Sequence, residues 1–255
     1  GRRVQRRWRR REILMHDDVA RLTERFLTDA DRALGQGYTA LLVGSAARDE
    51  YVPGRSDVNL MLVVPEAGPA TLRALQPAFD RWRASSPVLP LLITRDEWNQ
   101  AGDAFPIEIC DMRAAYRVLR GNDLLAGMEP DRSALRTALE REFRGKLLRL
   151  RQAYALHGDN SQALGEVASD SVSTIVLLFR CLLRLAGRDS AGDGLAVIRA
   201  AAALVGFDPA SVELLFRRRA ERGPRTTGAE YERYLDAVAH TVRYADEHNL
   251  GDPHQ

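Results

Sequence analysis

The sequence predicts an α+β protein, with an N-terminal α/β half built on a small mixed sheet and a C-terminal all-α helical bundle. As far as Gly121, short β-prone runs alternate with amphipathic helical stretches; beyond it every periodic segment is helical. The 255 residues are 45% hydrophobic, enough to bury a core that needs no disulfide or structural zinc.

Residues 17–34 form the first expected helix, because Val19, Leu22, Phe26, Leu27 and Ala30 recur at helical spacing and Gly35 and Gly37 stop it. The apolar run 38–43 reads as a strand ending at Gly44-Ser45. A charged, turn-rich stretch at 46–56 leads to a second strand over 57–64, closed by Pro65 and Pro69. A helix over 70–84, a strand over 88–94, a connection around Trp98 and a short strand over 106–111 complete the α/β half. Tyr116, Val118 and Leu119, running into Gly121, read as the link between the halves. Beside such a link Trp82, Trp98 or Tyr51 would stand open to a ligand, although tryptophan more often packs in a core.

The second half divides into helices over 133–156, 161–186, 193–205, 209–221 and 228–248, separated by Gly- and Pro-containing breaks. In the first of these, Leu135, Leu139, Phe143, Leu147, Leu150 and Tyr154 form one apolar stripe. The expected organisation is a basic, disordered extension over 1–14, an α/β domain over 15–125 and a helical domain over 126–255.

Composition excludes several classes. Cys110 and Cys181 are far apart with no CxxC, so neither a disulfide scaffold nor a zinc knuckle is supported and a reducing cytoplasm fits. Apolar runs such as 175–179 fall far short of the roughly 20 residues that span a bilayer. The net charge of +2 hides an arm: residues 1–14 hold seven arginines against Glu12, leaving 2 − 6 = −4 for the rest. That arm has no aromatic interleaving beyond Trp8, so a nucleic-acid partner is not expected. Lys146 is the only lysine among 37 basic residues, which points to codon bias rather than to phosphate recognition.

The chemistry concentrates in Val43-Gly44-Ser45, eleven intervening residues, then Asp57-Val58-Asn59-Leu60. On a strand, Asp57 and Asn59 point to one side while Val58 and Leu60 point into the core. Gly44 would let a phosphate approach the backbone, and Ser45 offers a hydroxyl and an N–H at the turn. Arg55 or Arg48 would neutralise phosphate charge.

This pattern resembles that of the nucleotidyltransferase superfamily of the DNA polymerase β type: a hydrophobic residue, Gly, Gly or Ser, a gap, then Asp-hydrophobic-Asp/Glu-hydrophobic. The resemblance covers residues 17–120, and the helical half is similar in a generic way to the small-molecule and antibiotic branch. It implies a nucleotidyltransferase-like domain that uses Mg²⁺ and a nucleoside triphosphate such as ATP, and passes a nucleotidyl group to a hydroxyl on a small molecule or protein. It further implies Asp57 as metal ligand, Glu108 on a later strand as third carboxylate and general base, and Asp111 as the alternative to Glu108. Gly44, Ser45, Arg55 and Asn59 would hold the nucleotide.

One position departs from the pattern. The second acid is Asn59, a neutral side chain that bridges two cations poorly, so a metal set of Asp57, Asn59 and Glu108 offers two charges instead of three. The alternative to a transferase is therefore a catalytically impaired relative that binds a nucleotide or a protein partner. Arg151 and His157, at Arg-x5-His spacing, resemble the motif of a helical RNase family. A histidine at a helix C-terminus, however, needs no catalytic role.

Overall fold

The structure is a computed structural model that describes residues 15–48, 51, 53, 56–219, 221 and 223–247. The expectation for residues 1–14 and the candidate Arg55 lie outside the described residues. Two compact units emerge: residues 1–95 with 116–123, and residues 96–115 with 124–255. The chain thus passes from one unit to the other three times.

In the first unit, α1 (Asp17–Leu34) buries Val19, Thr23, Phe26, Leu27 and Ala30 on one stripe. The chain then forms β1 (Thr39–Val43), a single 3-10 turn (Gly44–Ala47), β2 (Asn59–Val64), α2 (Pro69–Arg83) and β3 (Leu91–Thr94). It returns to this unit for β4 (Tyr116–Arg120). The sheet order is β3-β2-β1-β4, with β1 antiparallel to both neighbours and β3 parallel to β2. This is the small mixed sheet the sequence suggests.

Helix α1 packs on α2 through Phe26, whose ring meets those of Phe79 and Trp82 edge-on at 5.4 and 5.3 Å. Arg120 at the end of β4 reaches Asp31 and Glu24 of α1 at 3.2 and 2.9 Å, tying that helix to the edge strand. Tyr38 donates to Asp31 at 2.6 Å; burial, that hydrogen bond and the carboxylate's charge push its phenol well above the ordinary range.

The second unit is entirely helical among the described residues. It comprises α3 (Arg95–Asn99), α4 (Ala101–Ala104), α5 (Pro106–Ala114), α6 (Arg132–His157), α7 (Ser161–Leu185), α8 (Gly194–Val205), α9 (Pro209–Arg218) and α10 (Gly228–Glu247). Asp131, Asn160, Asp193 and Asp208 cap α6 through α9 by accepting backbone N–H groups. Its core gathers Phe143 and Phe179, 5.9 Å apart, around α7. Tyr231 donates to the Leu150 carbonyl at 3.1 Å, and burial pushes its phenol up to about 12. None of the described helices is long and apolar enough to cross a membrane.

Three elements differ from the sequence expectation. Residues 106–111 are not a strand but the start of α5: Pro106 sits in its first turn, and Pro106, Ile109, Cys110 and Met112 are its buried residues. The stretch around Trp98 is helical (α3), and the link at 116–120 is the edge strand β4. Trp82 and Trp98 are 1% and 4% exposed, so neither indole is open to a ligand. Trp82 instead donates its indole N–H to the Val88 carbonyl at 2.7 Å.

Candidate functional site

The described part of the site is built where β1 and β2 end side by side. Register pairs Val43 with Asn59, so the residue leaving β1 and the residue entering β2 are direct neighbours. Gly44 follows at φ +77°, a left-handed conformation that side chains rarely tolerate. A Cβ built on Gly44 would sit 2.9 Å from Asn59 Nδ2. The bare Cα is therefore what lets the Asn59 amide lie against the turn, a role for Gly44 beyond the close phosphate approach suggested by the sequence.

Ser45 is the second residue of the 3-10 turn and is half-buried. Arg48, also half-buried, closes the turn by donating its backbone N–H to the Ser45 carbonyl at 3.1 Å. Strand β2 begins at Asn59 rather than at 57, so Asp57 precedes the ladder. Exposure nonetheless alternates, with Asp57 exposed, Val58 buried, Asn59 half-buried and Leu60 buried. The two polar side chains thus lie toward solvent and the two apolar ones in the core.

The third carboxylate is where sequence and structure part. Glu108 lies on α5, a helix of the second unit, and not on a strand of the sheet; it is exposed. Asp111 lies on the same helix. Strands β1 (TALLV), β2 (NLMLVV), β3 (LLIT) and β4 (YRVLR) contain no Asp or Glu at all. Among the described residues, no group of three or more His, Cys, Asp or Glu side chains could hold a metal ion.

One neighbour escaped the sequence reading. Tyr116 is paired with Val43 across β1 and β4, so Asn59, Val43 and Tyr116 form one row of the sheet, and β4 also touches the 3-10 turn. Directly opposed residues of antiparallel strands project to the same face, which puts the Tyr116 ring on the face of Asn59. Its hydroxyl donates to Asp123 at 2.9 Å. The signal that could have found it was the β-prone run Tyr-Arg-Val-Leu-Arg stopped by Gly121.

The donor set fits one hard cation better than two. Asp57 offers a carboxylate and Asn59 a neutral carbonyl oxygen, whereas a pair of divalent ions needs bridging negative charge that the strands do not supply.

No protein-family model matches the chain, and comparison with curated proteins finds no match. Among solved structures, the chain is similar to spectinomycin adenyltransferase AAD(9) from Enterococcus faecialis, crystallised with ATP and spectinomycin. The two are 13% identical with a TM-score of 0.54, over 88% of this chain and 99% of that one. At that identity the likeness is one of fold alone, shared with that adenyltransferase.

Proposed function

We propose that the chain binds the triphosphate of a nucleoside triphosphate, ATP among them, at Gly44, Ser45, Asp57 and Asn59, and that its capacity for nucleotidyl transfer is impaired. The observation that carries this reading is the seating of Asn59, rather than a carboxylate, against the Gly44 turn, in a sheet whose strands hold no acid. Asp57 would hold a single Mg²⁺ brought in with the nucleotide, with Asn59 Oδ1 as its neutral partner; the ion would offset phosphate charge. The Asn59 NH₂ would donate to a phosphate oxygen, as would the Ser45 hydroxyl, and Arg48 would add positive charge beside the turn. Without a second and third carboxylate, nothing on these strands holds a second cation or takes the proton of an attacking hydroxyl.

The active transferase is the second reading. It draws on the fold likeness, which extends over 99% of an adenyltransferase crystallised with ATP and spectinomycin. In that reading Glu108 would serve as general base and a small-molecule or protein hydroxyl as acceptor.

Calorimetric titration with ATP and Mg²⁺, paired with a pyrophosphate-release assay, separates the two. Asp57→Ala should weaken binding by about 2 kcal/mol, roughly thirtyfold, the loss expected for one interaction with a charged group. Pyrophosphate release should stay at background in the wild type. Release that Asp57→Ala abolishes would establish the transferase, and absence of any ATP binding would remove both readings.

A further inference from the structure

We propose that Cys110 and Cys181 form a reversible disulfide, making the contact between α5 and α7 a redox-sensitive modification site. These are the only two cysteines of the chain, and although 71 positions apart in sequence both lie in the core of the helical unit. Cys110 is 2% exposed and Cys181 fully buried, within one apolar core. The Cys181 sulfur lies 3.8 Å from the carbonyl oxygen of Ile107, one turn before Cys110 on α5. Because α5 packs directly on α7, both cysteines sit on packed helices rather than on loops.

Two thiols on packed helices differ chemically from any other apolar pair in this core, since oxidation can join them covalently. With a hydroperoxide as oxidant, one sulfur, as thiolate, attacks the peroxide oxygen. The O–O bond breaks, a sulfenic acid forms, and the departing oxygen leaves as water or an alcohol after taking a proton. The second sulfur then attacks the sulfenic sulfur, the S–O bond breaks, and the hydroxyl leaves with the remaining proton as water. Two thiols and one hydrogen peroxide thus give one disulfide and two waters. Burial restricts the first step to small oxidants, and the product joins α5 to α7 across the whole of α6, a long loop whose closure restrains the unfolded chain.

The test treats the folded full-length protein with hydrogen peroxide and measures intact mass without reductant, followed by peptide mapping. The expected result is a loss of about two mass units for the two hydrogens removed, a Cys110–Cys181 cross-linked peptide, and full reversal by dithiothreitol. Oxidised protein should melt at a higher temperature than reduced protein, and Cys181→Ala should abolish both the cross-link and the shift. Two alkylatable thiols surviving the oxidant in the folded protein would overturn the proposal. So would gain of oxygen on either sulfur without a cross-link, or a disulfide between two chains. If the variant fails to fold, the mass change and its reversal in the wild type decide alone.

Discussion

Gly165→Ala is expected to destabilise the helical unit severely, even though alanine is the better helix former. Gly165 lies on α7, where a Cβ would sit 2.0 Å from the Pro224 carbonyl oxygen, 2.6 Å from its carbon and 2.9 Å from the Arg225 Cα. All three are backbone atoms. The segment cannot swing aside cheaply, because Thr226 donates its N–H to the Ser161 carbonyl at 2.8 Å and ties the loop to the first turn of α7. Overpacking of this kind costs about 3 kcal/mol or more, against roughly 1 kcal/mol gained from helix propensity. In a chain of this size the net loss should lower the melting temperature by roughly 5 °C. Gly145→Ala on α6 is the control with the opposite sign. Its nearest neighbour is the tip of Arg149 at 3.6 Å, so only the propensity gain of about 0.5–1 kcal/mol should remain. Urea denaturation followed by circular dichroism checks both. Equal midpoints for the two variants would contradict the packing of α7 on residues 224–226.

Gly44→Ala should damage binding and stability together. Alanine at φ +77° costs about 1–2 kcal/mol, and its methyl would meet Asn59 Nδ2 at 2.9 Å. The amide is the end of a flexible side chain, so it would move rather than the backbone, taking its donor away from the turn. ATP affinity should fall roughly tenfold, the loss of one charge-assisted hydrogen bond. A double-mutant cycle with Asn59→Ala isolates this contact: with the amide gone, Gly44→Ala should cost only its backbone strain. Calorimetry and thermal melts on the four proteins would show the coupling, and strictly additive losses would mean that Asn59 does not rest on the turn.

Much of this architecture could be read from the chain, for identifiable reasons. Helices α1 and α6 through α10 are long enough for their apolar spacing to separate helix from strand, and their expected limits differ from the observed ones by three residues or fewer. Over residues 106–111 that advantage fails. Ile107 and Ile109 flank Glu108 in a pattern that alternates like a strand, while the helical spacing of Pro106, Ile109, Cys110 and Met112 becomes visible only when the window reaches 112. That misreading also placed Glu108 on the wrong kind of element and obscured how few acids the sheet has. Strand β4 was missed because arginines make up two of its five residues, and the partners of Arg120 on α1 lie some ninety positions away. The excursion of 96–115 into the second unit rests on long-range packing that no local pattern encodes. At the site, the spacing from Gly44-Ser45 to Asp57 was legible as a motif, whereas the seating of Asn59 against Gly44 required the register of β1 and β2.

The most direct measurement is a crystal structure of the chain soaked with a non-hydrolysable ATP analogue and Mn²⁺, with the cations located by anomalous scattering. A triphosphate lying along Gly44 and Ser45, with one Mn²⁺ on Asp57 and the Asn59 amide turned to a phosphate oxygen, is the predicted result. Two Mn²⁺ ions bridged beside Asp57, or a triphosphate bound away from the Gly44 turn, would contradict it.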